Sequence, residues 1–179
     1  MGGSDSRTAS PFVLRCLSDL RPALGSRPTA LDVAMGSGRH AAALAESGFR
    51  VFGVDCDYER VGQALRRLRV GGYNPCFWVA DLELCPLPKG RFDVVLCTRY
   101  LQRTLWSRLQ QAVAPRGFVL YETFTAEQCF YEWGPRSSKH LLRPGELRGV
   151  FADWDLWVYE ERSAPAAEAG LLVRRPGGG

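Results

Sequence analysis

The chain has 179 residues, the size of one compact domain, and is 46% apolar, 11% aromatic and 23% charged, enough to bury a real core. The formal charge of +4 is mild and selects no class of partner, and no apolar run approaches the ~20 residues that cross a bilayer. The six cysteines are scattered without a Cys-x-x-Cys pair and the two histidines lack ligand spacing, which argues against a disulfide framework or a structural zinc.

Met1-Gly2-Gly3-Ser4-Asp5-Ser6 fits the N-myristoylation pattern, although a polar Gly/Ser-rich start reads first as a disordered tail or a cloning remnant. Residues 1–9 and 176–179 are expected to be disordered, leaving one domain over 10–175. The start shows no secretory pattern, so a cytoplasmic location is expected. Ser10-Pro11 opens the first helix, with Ser10 as cap, Phe12, Leu14, Leu17, Leu20 and Leu24 as its apolar face, and Gly25 as its end. A short buried strand over 30–34 follows, then Gly36-Ser37-Gly38 and a helix over 39–46 closed by Gly48. A second strand over 50–54 ends in Asp55. The helix over 58–70 carries Val61, Ala64, Leu65 and Leu68 at helical spacing, with Arg60, Arg66, Arg67 and Arg69 on a solvated face.

A third strand over 76–80 ends in Asp81, and the almost wholly apolar stretch 92–97 reads as a central strand. A helix over 101–113 and a strand over 117–123 come next. Strands over 154–160 and 170–174 are separated by too short a loop for a helical crossover, so they should pair antiparallel. The alternation predicts an α/β fold: a Rossmann-like three-layer sandwich whose mostly parallel seven-stranded sheet ends in an antiparallel C-terminal pair.

The informative stretch is Leu31-Asp32-Val33-Ala34-Met35-Gly36-Ser37-Gly38-Arg39-His40. A strand delivers the chain to a turn whose glycines let backbone approach a ligand, at the sheet edge where open α/β folds bind ligands. Asp32 stands ready for the amino-acid part of a cofactor, Asp55 for ribose hydroxyls, and Asp81 with Leu82 for an adenine and its apolar wall. Aspartate after a strand is by itself an ordinary turn residue, so the signal lies in the combination. The string Gly36-x-Gly38-x-x-Ala41 also satisfies a dinucleotide pattern. A carboxylate just ahead of the turn suits a pyrophosphate poorly, however, and no second nucleotide-binding half follows.

The order Asp32…Gly36-x-Gly38, Asp55, Asp81, Phe92-Asp93-Val94-Val95 and Pro115-x-Gly117 resembles the seven-stranded (class I) S-adenosylmethionine-dependent methyltransferases over roughly residues 28–175. Ala34 and Met35 depart from the family's usual glycine and cysteine. Arg99-Tyr100-Leu101-x-Arg103, Tyr121-Glu122-Thr123-Phe124, Gly134-Pro135-Arg136 and Leu142-x-Pro144-Gly145-Glu146-Leu147 are similar to small bacterial methyltransferases of the tellurite-resistance type. The resemblance implies S-adenosylmethionine as cofactor, with Asp32, Ala34, Gly36, Gly38, Arg39, Asp55, Cys56, Asp81, Leu82 and Cys97 around it.

Methyl transfer from a sulfonium is an in-line displacement, so placement of the nucleophile dominates, and a soft nucleophile needs little base catalysis. Tyr100, Glu122 and Arg103 are the expected catalytic residues, with Arg103 or Arg136 drawing in an anionic group. Packing of Tyr100 and an ion pair at Glu122 are the competing readings. His140 is a loop histidine read as a surface residue. The segment 124–143, rich in aromatics, is expected to form a lid over the substrate. The expected partner is a small-molecule acceptor, soft or anionic; membrane and nucleic acid are not expected, and a homodimer is left open. Two other readings stay in view: a non-catalytic partner subunit of the same fold, and an RNA or protein methyltransferase.

Overall fold

The computed structural model describes residues 8–177. The myristoylation pattern, most of the expected N-terminal tail and half of the C-terminal one lie outside the described residues. Seven strands form one sheet in the order β3-β2-β1-β4-β5-β7-β6. They are β1 (Thr29–Val33), β2 (Arg50–Asp55), β3 (Cys76–Val79), β4 (Phe92–Thr98), β5 (Val113–Phe124), β6 (Asp155–Arg162) and β7 (Glu168–Arg174). The first five run parallel, and β7 is antiparallel to both β5 and β6. The mixed sheet with its antiparallel end is the one the sequence predicts.

Five α-helices among the described residues accompany it: α1 (Pro11–Leu20), α2 (Arg39–Glu46), α3 (Tyr58–Val70), α4 (Trp106–Ala112) and α5 (Glu146–Val150). Strand side chains alternate between faces, so each strand feeds two cores. Val94 and Leu96 of β4 join Phe12 and Leu17 of α1 and Leu44 of α2 on one side. Val95 and Cys97 join Leu109 of α4 and Leu147 of α5 on the other. Asp32 shares its face with Ala30, which belongs to the α1–α2 core, so its carboxylate lies under that layer.

Three local expectations differ from the structure. Gly25 does not end α1, which stops at Leu20 and runs into a 3-10 turn over Arg21–Ala23. The helix expected over 101–113 is a 3-10 turn, Arg103–Leu105, followed by the shorter α4, and Val113 already belongs to β5, opposite Phe92. The segment after β5 has no α-helix until α5; it holds two 3-10 turns and returns to the sheet where Leu142 N donates to Phe124 O at 2.9 Å.

From β1 the chain builds outward through β2 and β3, then crosses back to place β4 on the other side of β1. The strand order therefore reverses between β1 and β4. Loops leaving that point diverge, and a crevice opens at the carboxyl ends of the two strands. Ala34 follows one strand and Arg99 the other. Both have positive φ, +54° and +51°.

Candidate active site

The turn after β1 needs left-handed backbone at Ala34, Gly36 (φ +55°) and Gly38 (φ +75°). Ala34 keeps the conformation a glycine would take there, so the departure noted in the sequence leaves the turn intact. Gly38 is demanded twice, because a Cβ on it would lie 2.7 Å from the Ala64 Cβ of α3. At Gly36 a Cβ would meet nothing within 4 Å, so this part of the turn faces open space. The Gly36 N–H donates to Asp55 Oδ2 at 2.8 Å, and Asp55 Oδ1 accepts from Asp57 N at 3.0 Å. The second strand end is thereby tied to the glycine turn, and each Asp55 oxygen keeps a further lone pair.

A cavity of about 250 Å³ opens here, lined by Ala34, Asp55, Cys56, Arg60, Asp81, Leu82, Arg99 and Tyr100. Six of the expected cofactor-binding and catalytic residues thus meet in one place: Ala34, Asp55, Cys56, Asp81, Leu82 and Tyr100. Asp81 Oδ1 also accepts from Glu83 N at 2.8 Å, the turn role weighed as its ordinary explanation. Cys97 is fully buried in the sheet core and lines no cavity; burial pushes its thiol up to about 12. Alternation along β4 turns it into the core cluster that holds Tyr121 and Leu109, and Asp32, also buried, likewise lines neither cavity described here.

A larger cavity, about 380 Å³, adjoins the first. Arg39, Arg99, Arg162, Glu168, Trp133, Pro11 and Pro165 are among its walls. Arg99 lines both cavities. Beneath them lies a charged network. Arg162 Nη2 bonds Glu122 Oε1 at 2.5 Å and Glu168 Oε2 at 2.9 Å, while Arg99 Nε bonds Glu168 Oε1 at 3.0 Å. Ser10 uses its hydroxyl to donate to Glu122 Oε1 at 2.8 Å rather than to cap α1 as expected. A buried carboxylate gains more from that charge-assisted bond than a solvent-facing helix end does.

His40 is buried against the same network. Its Nε2 accepts from Ser10 N at 3.1 Å and its Nδ1 lies 3.0 Å from Thr98 Oγ1, which makes Nδ1 the protonated nitrogen of a neutral ring. Burial lowers it to about 3, with Arg39 and Arg99 acting in the same sense. Asp32 is the outlier. It is 1% exposed, and neither carboxylate oxygen has a hydrogen-bond partner among the described residues. Burial pushes Asp32 up to about 7, opposed by the Ala41 amide and by Arg39. Arg39 forms no ion pair among the described residues, and burial, then the nearby Arg99, hold it below its ordinary value. Among the described residues, Asp32 and Arg39 thus have no hydrogen-bonded or ion-paired side-chain partner, and each feels the other's charge.

The three expected catalytic residues do not converge. Glu122 is 1% exposed and committed to Arg162 and Ser10, the ion pair weighed against its catalytic reading. Tyr100 belongs to the smaller cavity, where its hydroxyl donates to Gln102 Oε1 at 2.5 Å and burial pushes it up to about 12. Arg103 makes a two-pronged ion pair with Glu146, at 2.6 and 2.8 Å, and also donates to the carbonyls of Lys139 and Leu141. These bonds hold the segment after β5, and Arg103 lines neither cavity. Arg162 and Glu168 escaped the sequence reading because only the pairing of β5, β7 and β6 brings them to Glu122. Ser10 and His40 carried a signal, adjacency to the helix start and the glycine turn, that points equally to capping and packing.

Residues 30–117 match a family model described as a methyltransferase domain. Residues 30–117, just under half of the chain, therefore carry the likeness to a methyltransferase domain. The domain's fold recurs in solved structures at low identity. TehB from Haemophilus influenzae aligns with a TM-score of 0.73 at 14% identity over 90% of this chain and 62% of that one, so this chain spans less than two thirds of TehB. An S-adenosylmethionine-dependent methyltransferase from Mesorhizobium loti gives 0.66 at 16% identity over 88% and 96% of the two chains. One from Methanosarcina mazei gives 0.71 at 15% over 96% and 100%. No curated protein sequence matches the chain. The site's own residues fit S-adenosylmethionine. Its amino-acid end carries an ammonium and a carboxylate, and Asp32 and Arg39 are complementary charges without a side-chain partner among the described residues.

Proposed function

We propose that the protein transfers a methyl group from S-adenosylmethionine to a small-molecule acceptor that is soft or already anionic. The observation that carries this reading is the junction at Arg99, which walls both a carboxylate-fringed cavity sized for adenosine and a larger cavity for the acceptor. In this reading Asp55 takes the ribose hydroxyls, Asp81 and Leu82 the adenine, Asp32 the ammonium and Arg39 the carboxylate. When bound, the cofactor supplies a methyl on a positively charged sulfur, which leaves by in-line displacement.

The acceptor class follows from which bases are free. Among the described residues lining the larger cavity, the one carboxylate is Glu168, and it is held by Arg99 and Arg162. His40 has both nitrogens engaged, and the Tyr100 hydroxyl stands too high to accept a proton near neutrality. An acceptor needing deprotonation finds no free base among the described residues lining this cavity, whereas a thiolate or other soft anion needs none. Trp133 lines this cavity, which supports a covering role for the segment 124–143.

Calorimetry with S-adenosylhomocysteine is expected to give one site per chain, weakened at least tenfold in Asp55→Ala. A screen of thiols, oxyanions and metabolites, read as S-adenosylhomocysteine release, is expected to give turnover by this chain alone. Cofactor binding without turnover on any acceptor would favour the partner-subunit reading instead.

A further inference from the structure

Arg103 and Arg136, both singled out in the sequence as anchors for an anion, do meet in one place, away from the methyl-transfer cavities. They line a separate cleft of about 380 Å³ together with Lys139, Arg143, Ser138 and Leu141. Four cationic side chains face it, and no aspartate or glutamate is among its described lining residues. We propose that this cleft is a binding site for a small anion bearing two or more linked phosphate groups.

The four cations divide by role. Arg103 is the frame: its ion pair with Glu146 and its bonds to the Lys139 and Leu141 carbonyls, at 3.2 and 3.0 Å, fix the backbone on which the others stand. Arg136, Lys139 and Arg143 are exposed and form no ion pair among the described residues. Arg136 makes a single long contact of 3.4 Å to the Tyr131 carbonyl. Glu146 accepts from the Arg143 N–H at 2.8 Å and lies within electrostatic reach of its guanidinium, yet it is already paired with Arg103, so the cleft keeps an excess of positive charge whose free-energy cost a bound anion removes. A monocarboxylate would match only one of the three. A diphosphate matches them in number, with guanidinium forks suited to phosphate oxygens and a lysine serving as a point charge.

Size and surroundings favour a small ligand over a nucleic-acid strand. The volume is at the low end of ordinary small-molecule sites, about 300–1,000 Å³. The arginines of α3 flank β2 and β3, whereas this cleft lies beside β5, three strands away, so the two basic regions do not join into a stripe. One apolar wall separates the cleft from the acceptor cavity. Leu141, which lines the cleft, packs in one cluster with Phe124, Trp133 and Ala166, and the last two line the acceptor cavity. A ligand here presses on the same wall that an acceptor touches.

The test is calorimetric titration of the full chain with inorganic pyrophosphate, repeated with inorganic sulfate and with a short single-stranded RNA. S-adenosylhomocysteine affinity is measured on the same samples, so failure of this site and failure of the methyltransferase reading are distinguishable. Pyrophosphate is expected to bind at least tenfold more tightly than sulfate. The triple variant Arg136→Gln/Lys139→Gln/Arg143→Gln is expected to lose at least tenfold in that affinity with S-adenosylhomocysteine binding unchanged. Lys139→Gln alone, the mildest change, should lose severalfold and guards against a triple variant that fails to fold. Pyrophosphate binding no tighter than sulfate, equal binding by the variants, or RNA binding more tightly than pyrophosphate through the same three residues would each overturn the proposal.

Discussion

Asp32 concentrates the tension between folding and binding in one side chain. A buried carboxylate with no hydrogen-bond partner among the described residues resists ionisation up to about pH 7, even with the Ala41 amide and Arg39 acting against that, whereas in the unfolded chain it ionises near 3.8. The sign follows from proton counting. Between those values the unfolded chain has lost a proton that the folded one keeps, so stability falls as pH climbs from about 4 to 7 and stays level above. The full interval is worth about 4 kcal/mol as an upper bound. Asp32→Asn removes this cost while leaving the shape. Chemical denaturation at pH 7.5 is expected to show a more stable variant, and calorimetry a loss of S-adenosylhomocysteine affinity of at least tenfold. The wild type should also release protons on binding near pH 6.5, read as a dependence of binding heat on buffer ionisation enthalpy. An Asn variant that binds as tightly as the wild type would remove Asp32 from the cofactor site. The trade of stability for a prepared charge is a common mark of ligand sites.

Elements rather than residues explain which expectations held. The helices α2 and α3 were legible to the residue, since an apolar stripe repeats between clear stops. The glycine turn and the carboxylate ends of the first three strands were legible for the same local reason. The helix expected over 101–113 was overextended because Leu105, Leu109 and Val113 repeat every fourth residue, although Val113 pairs with Phe92 in the sheet. The five-residue α5 is too short to show a period. Tyr100, Glu122 and Arg103 were placed near the reacting centre by their strand ends, and what removes two of them is tertiary: Arg162 stands 40 residues from Glu122 in sequence, and Glu146 stands 43 from Arg103. The Arg103–Glu146 pair therefore acts on an element, binding the segment after β5 to the turn after β4. Arg103→Ala is expected to cost about 1–3 kcal/mol, as lost hydrogen bonds to a partly exposed charge. Hydrogen exchange should quicken across residues 125–146 while cofactor affinity stays unchanged. Unaltered exchange with a large fall in turnover would restore the catalytic reading of Arg103.

At the scale of the whole molecule, two buried titrating groups, Asp32 in β1 and His40 in α2, have opposite effects on stability. His40 is neutral when folded, held near 3 against 6.5 when free, so its burial stabilises the fold above about pH 6.5 and that stability is lost as pH falls toward 3. Asp32 works the other way across much of the same interval, since its cost grows as pH rises from 4 to 7. In the ligand-free protein these slopes oppose each other between about pH 4 and 6.5, so melting temperature should change little with pH there. A bound ammonium beside Asp32 would favour the ionised carboxylate and remove its cost, leaving the His40 slope exposed. Melting temperature measured with saturating S-adenosylhomocysteine is therefore expected to rise with pH across 4 to 6.5, where the free protein is nearly flat. The ligand's stabilisation should be larger at pH 7 than at pH 5 by up to tenfold in apparent affinity per pH unit, since one proton is exchanged. Parallel pH profiles with and without the ligand would mean that Asp32 does not change its charge on binding, and the pairing of its carboxylate with the cofactor's ammonium would have to be abandoned.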